Sequence, residues 1–186
     1  MTPGDAELLQ RTAAGDASAF ELLLGRHEAS VFRYLRSLAR DATAAEDALQ
    51  DAFVAAWRGA GGFRGGDSAR AWLLSIARHA LHRQYRRRVH EPAEQLSLEQ
   101  LGRDADWGVD DSPLDRLVQQ EDRACVARAL GRLPDAERET LVLRDLEGLP
   151  GEEVARMTEV SLAAMKSRLH RARLHLAAAL REECDA

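Results

Sequence analysis

The stretch GEEVARMTEVSLAAMKSRLHRARLHLAAAL, residues 151–180, decides how this chain is read. Gly151 to Met157 can make about two helical turns, Thr158 to Val160 a short turn, and Ser161 offers a hydroxyl to cap a second helix running to about Leu180. A short helix, a tight turn and a longer helix, with the small Ala155 at the close crossing, form the helix-turn-helix arrangement. On the second helix Met165, Leu169, Ala172 and Leu176 share one face at three- and four-residue spacing, which predicts that they pack inward. The opposite face carries Lys166, Ser167, His170 and Arg171, with Arg168 and Arg173 at its flanks, and Lys166 is the only lysine in the chain. An apolar seam under a face of donors suits a helix that enters the major groove or clamps phosphates. A solvated amphipathic helix has the same pattern, so the basic run alone leaves both readings open, and the preceding helix and turn favour DNA binding.

Outward from this stretch, apolar positions recur at Leu114, Leu117, Val118, Val126 and Leu130, stop at Leu133-Pro134, and resume through Leu141, Val142 and Leu146 until Gly148 ends the helix. Before them Val89 to Asp115 loses helical periodicity. It holds Pro92, Gly102, Gly108 and Pro113 among acidic residues that include Glu91, Glu94, Asp104, Asp106, Asp110 and Asp111, the composition of a flexible acidic linker.

The first domain has three helical stretches. Phe20, Leu24, Val31, Leu35 and Leu38 predict a long helix capped by Asp16 or Ser18. Thr43 and Glu46 predict a capping box for a second helix that buries Leu49, Ala52, Phe53 and Ala56 and runs to about Trp57. Ser68 opens a third, with a stripe of Trp72, Leu73, Ile76, Ala77, Ala80 and Leu81 and a basic end at Arg86, Arg87 and Arg88. Between the last two, Gly59 to Gly66 is glycine-rich around Phe63 and reads as a mobile loop.

Ala, Leu, Arg and Glu dominate while aromatics are 5%, so the fold class expected is all-α: two small helical domains, 1–88 and 116–186, joined by the linker 89–115. The chain carries 26 Lys+Arg against 31 Asp+Glu, an acidic balance that argues against a free-standing nucleic-acid binder unless its basic residues are clustered. They are clustered, on the two helix faces described. No apolar run approaches a membrane span, and Met1 to Gln10 is polar and acidic, unlike a signal peptide, so no membrane insertion and a cytoplasmic location are expected. Cys125 and Cys184 lie far apart, which fits a reducing compartment; Cys125 reads as a small core residue and Cys184 as part of a frayed tail. No metal or cofactor is expected: His79 and His82 lack accompanying ligands, and no nucleophile motif or phosphate loop is present.

Several blocks resemble extracytoplasmic-function (ECF) sigma factors of bacterial RNA polymerase. Leu133-Pro134, Arg138, Leu143-Arg144, Glu147-Gly148-Leu149, Glu153-Val154-Ala155 and Lys166 to Arg173 are similar to region 4 of that family. Ala45 to Phe53 resembles region 2.2, and Ala71 to Arg78 with Tyr85 to Arg88 resembles regions 2.3 and 2.4. The resemblance implies a non-enzymatic initiation subunit. Its partners would be core polymerase, through the largest subunit's clamp helices and the flap, together with promoter DNA and an anti-sigma factor. By the same resemblance Glu46, Asp47, Gln50 and Asp51 contact the polymerase, and Phe63, Arg64, Arg78, His79, His82, Arg83, Arg86 and Arg87 meet the minus-10 element. Ser161, Lys166, Ser167, Arg168, His170, Arg171 and Arg173 meet the minus-35 element.

Phe63 stays open between stacking on a flipped base and packing in its own domain. The chain departs from the family pattern at His79, Arg83 and Pro150, and at Glu159, which occupies a turn position commonly held by glycine. An autonomous helix-turn-helix regulator and a purely protein-binding regulator are the rival expectations.

Overall fold

A computed structural model describes residues 3–65, 68–88 and 124–184, and the expected linker 89–115 lies outside the described residues. Among those described there is helix and no strand, as the composition requires. The chain divides into two compact units, Met1–Gln95 and Leu96–Ala186.

The first unit holds α1 (Asp5–Ala13), α2 (Ala17–Leu38), α3 (Ala42–Gly59) and α4 (Ala69–Arg88), with a 3-10 turn at Ala60–Gly62. Helix α1 is absent from the sequence reading, which took residues 1–10 only as a polar start. Leu8 and Leu9 are buried, and they form one cluster with Ala19, Leu23, Ala60 and Ala69. Two adjacent leucines in a nine-residue helix give too short a period to stand out, so burial against the rest of the unit is what stabilises α1. Asp5 at its start accepts from Arg26 Nη1 and from His27 Nε2, both at 2.7 Å, tying it to α2.

Local caps fix where the other helices begin. Asp16 accepts from the Ala19 amide at 3.1 Å, and Ser68 Oγ accepts from the Ala71 amide at 3.1 Å, each as predicted. The cap of α3 is Asp41, which accepts from the Ala44 amide at 2.7 Å; Thr43 lies inside the helix, so the expected Thr43–Glu46 box is not formed. On α2 Val31 and Leu35 are buried as the spacing predicts, with Ala19, Leu23 and Tyr34, while Phe20, Leu24 and Leu38 are half-buried, so the stripe is displaced by one position in the first turns. The inner face of α3 is an alanine row, Ala44, Ala45, Ala48, Ala52 and Ala56, and α4 brings Leu73, Leu74, Ala77, Ala80 and Leu81 into the same unit's core.

In the second unit the described residues 124–131 are helical, here α5, and α6 (Asp135–Leu141), α7 (Gly151–Met157) and α8 (Leu162–Cys184) follow. Helix α6 opens after Pro134 and widens into a π turn at Val142–Leu146, where the Glu147 amide reaches the Val142 carbonyl at 2.8 Å. Gly148, at φ 65°, then reverses the chain. Val126 is exposed rather than part of the stripe, which runs instead through Cys125, Ala129 and Leu130.

The cysteine reading needs correction. Cys125 is buried as expected, but it is disulfide-bonded. Helix α8 continues to Cys184, so the expected frayed tail is helical to that point. Arg128 and Arg132 of α5 and its end pair with Glu183 at 3.1 and 3.2 Å, holding the last turn of α8 in place.

Candidate nucleic-acid and polymerase interfaces

The turn between α7 and α8 is a Schellman motif. The Val160 amide bonds the Ala155 carbonyl at 3.0 Å and the Glu159 amide bonds the Arg156 carbonyl at 3.2 Å, the 6→1 and 5→2 pair of that cap. The motif requires a left-handed residue, and Glu159 supplies it at φ 58°, the one non-glycine positive φ among the described residues. Ser161 Oγ then accepts from the Ala164 amide at 3.2 Å and opens α8. Pro150 stands before α7 with no side-chain cap, and Glu152 and Glu153 in the first turn complement the helix dipole.

Met165, Leu169 and Ala172 are buried under α8 and Leu176 is half-buried, as the spacing predicts. Ala155 is buried at the crossing, and Gly151 sits still closer: a Cβ there would lie 2.8 Å from Met165 Cε. The sequence reading missed Gly151, because a glycine opening a short helix resembles an ordinary turn residue. Lys166, Ser167 and His170 are exposed, Arg168 is half-buried, and the side chains of all four have no partner among the described residues. Arg171 and Arg173 are engaged within the unit. Arg171 Nε donates to Glu137 Oε1 at 3.2 Å, and Glu137 Oε2 lies 2.6 Å from His175 Nδ1. Arg173 makes two bonds to Asp145, at 2.8 and 2.7 Å, and the hydrogen bond together with the adjacent negative charge raises its pKa above the ordinary arginine value.

In the first unit Glu46, Asp47 and Gln50 are exposed and Asp51 half-exposed, all on the side of α3 away from the alanine row. Val54 and Trp57 extend that face, 51% and 37% exposed, although the sequence reading assigned them no role. Their i+4 and i+7 spacing from Gln50 was the available signal. Arg83 Nη2 of α4 reaches Asp51 Oδ2 at 3.3 Å, joining a residue assigned to DNA with one assigned to the polymerase. His79, His82 and Arg86 are exposed on α4 and Arg78 is half-buried; the side chain of Arg87 lies outside the described residues.

Phe63 packs edge-on against Trp72, ring centroids 5.7 Å apart, beside the Leu8, Leu9 and Leu23 cluster. Where the loop is expected, Ala60–Gly62 form a 3-10 turn and Phe63 makes this aromatic contact, while Arg64 next to it is exposed. Among the described residues no group of three His, Cys, Asp or Glu side chains could hold a metal, and no helix is long and apolar enough to cross a membrane.

The model of sigma-70 region 2 matches residues 23–91, and that of sigma-70 region 4 matches residues 123–176. The ECF RNA polymerase sigma factor SigM of Mycobacterium tuberculosis is 38% identical over 174 residues, covering 93% of this chain and 83% of SigM. The chain belongs to the sigma-70 family, in its ECF group. This sigma factor is also 34% identical to CnrH of Cupriavidus metallidurans over 187 residues, with 97% of each chain covered.

Two solved structures share the sigma factor's fold. One is CnrH in complex with the cytosolic domain of CnrY, with TM-score 0.70 and 29% identity over 97% of this chain and 99% of that one. The other is RpoE from Bartonella quintana in complex with the anti-sigma factor NepR, with TM-score 0.69 and 25% identity over 87% and 96%. Membership in this family makes the protein an initiation subunit and not an enzyme, and it sets aside the autonomous regulator and the purely protein-binding one.

Proposed function

We propose that this ECF sigma factor mounts on core RNA polymerase, reads the minus-35 element with α8, and promotes melting at the minus-10 element with α4 and the turn around Phe63. Residues 1–88 are its region 2 body, 89–115 the connector and 116–186 its region 4 body. The observation that carries this reading is the division of α8: Lys166, Ser167 and His170 stand exposed and unpaired directly over a buried apolar seam. Donors left free by their own domain keep their hydrogen-bonding capacity for base edges and phosphates.

On α3 the polymerase would meet Glu46, Asp47, Gln50 and Asp51, with Val54 and Trp57 adding apolar area beyond them. A charged patch that grades into exposed apolar side chains combines steering with burial, the pairing that stable interfaces use. Arg64, Arg78, His79, His82, Arg83, Arg86 and Arg87 follow the melted strand, and Ser161, Arg168 and Arg171 hold the duplex beside the reading donors. The protein works in the cytoplasm. The crystallised complexes of CnrH and RpoE favour an anti-sigma protein as the restraining partner here as well.

Run-off transcription with purified core polymerase tests the reading on promoters mapped by sequencing transcript starts after overexpression. Transcript should depend on this chain. Lys166→Ala should cost about 1–3 kcal/mol of promoter affinity and relax one base preference if the lysine reads a base, or weaken all sequences evenly if it grips phosphate. Transcription that is indifferent to the chain refutes the proposal.

A further inference from the structure

Arg173 lies one heptad beyond Lys166, so the two share a flank of α8, about 10 Å apart along its axis. Their environments differ. Lys166 has no partner among the described residues, whereas Arg173 Nε donates to Asp145 Oδ2 at 2.8 Å and Arg173 Nη2 donates to Oδ1 at 2.7 Å, a two-pronged fork. Asp145 sits in the π turn Val142–Leu146, the segment that leads through Gly148 into α7. The fork therefore links the approach to the helix-turn-helix with the middle of its second helix.

We propose that Arg173 is a positioning residue rather than a DNA contact: with Asp145 it sets the rotation and height of α8, and DNA contacts are confined to residues 161–171. This rests on the reading of α8 given above. Held in the fork, Arg173 keeps only its remaining N–H donors for a phosphate and forms a neutral pair with Asp145; to turn its full charge to a phosphate it has to abandon two charge-assisted bonds and leave Asp145 a bare anion beside the polyanion. Paired, the same aspartate is neutralised. Arg171 is less committed: it makes one 3.2 Å bond, and Glu137 keeps His175 Nδ1 at 2.6 Å when Arg171 turns to a phosphate.

The salt dependence of promoter binding by the reconstituted holoenzyme separates the two roles, since each phosphate contact adds about 0.9 to the slope of log affinity against log salt. Arg173→Gln made together with Asp145→Asn, so that no bare anion is left, is expected to lower affinity by the same factor at every salt concentration, with the slope unchanged. Arg173→Lys, which keeps the charge but cannot form the fork, should behave likewise, and it serves if the glutamine variant folds poorly. Exchanging the pair, Asp145→Arg with Arg173→Asp, should recover most of the affinity that either single change removes. A slope lowered by about 0.9 in the Arg173→Gln, Asp145→Asn variant, or a charge exchange weaker than both of its single variants, overturns the proposal. Thermal melting of the free chain gives a judgement that needs no DNA: the losses for Arg173→Gln and Asp145→Asn should not add in the double variant, and additive losses also overturn the fork. Holoenzyme that ignores the promoter even with the natural chain counts against the sigma-factor reading, while the melting cycle still decides on the pair.

Discussion

Replacing Glu159 with glycine should make this protein more stable, although it removes a side chain. Glu159 holds φ 58° in the Schellman turn between α7 and α8. An L-residue pays about 1–2 kcal/mol for the left-handed conformation, from the approach of Cβ to the following carbonyl, and glycine does not. Against this, glycine loses about 0.4–1 kcal/mol more chain entropy on folding. The expected net gain is about 0.5–1 kcal/mol. Glu159→Ala is the reference, since it removes the carboxylate and its contacts but keeps Cβ, so the difference between the two variants isolates the backbone. Gly148→Ala is the mirror experiment. Its φ is 65° and nothing lies within 4 Å of the added Cβ, so the expected loss of about 1 kcal/mol is again backbone alone. In a unit of this size 1 kcal/mol moves a melting midpoint by about 4–8 °C. Thermal melting of the full chain, with amide exchange of α7 and α8 to assign the transition, measures all three. A Glu159→Gly variant no more stable than Glu159→Ala refutes the left-handed turn and the cost attributed to it.

Three further outcomes are expected. Burial alone would raise the Asp5 pKa, but the hydrogen bonds from Arg26 and His27 and the accompanying charges outweigh it and hold the carboxyl below its ordinary value. Its contribution is therefore present above the unfolded aspartate pKa and is lost as pH falls through the folded one, so Asp5→Asn should destabilise at neutral pH and match the natural chain in strong acid. A deficit that is independent of pH contradicts this. Phe63→Ala should cost about 2 kcal/mol, below the value for a fully buried ring because Phe63 is half-buried, as read by Trp72 fluorescence in urea; unchanged stability means the ring faces solvent. Cys125→Ser measured without reductant, or a thiol reductant added to the natural chain, should lower the melting midpoint of the second unit by the equivalent of about 2–4 kcal/mol. Equal midpoints with and without reductant would show a plain buried thiol.

What the sequence disclosed was the part governed by near neighbours. Ser161, Asp16 and Ser68 cap the helices they precede, and the seam Met165, Leu169 and Ala172 follows from spacing alone. Glu159 stood out against the family resemblance, at a turn position commonly held by glycine, and its φ of 58° is the left-handed backbone that such a position requires. Contacts across long separations were not legible. The engagement of Arg173 by Asp145, and of Arg171 by Glu137, joins residues 28 and 34 apart, and no local pattern marks which arginine of a basic run is already taken. Helix α1 was missed because its stability comes from partners elsewhere in the chain. The cap of α3 was misplaced by two residues, since Asp41 and Thr43 are both good caps and tertiary packing chooses between them.

The alanine row of α3 has a mechanical consequence. Methyl groups are the smallest side chains that still fill a seam, so Ala44, Ala48, Ala52 and Ala56 leave no pliable material between this helix and its neighbours. A long flexible side chain would act there as a cushion, absorbing displacement. Without one on its own side, a push on the outer surface of α3 is delivered to α4 with little slack. On the proposed assignment of α3 to the polymerase and α4 to the DNA, seating on a large machine and aligning a strand become one movement, and tolerance for change has to be found away from that seam.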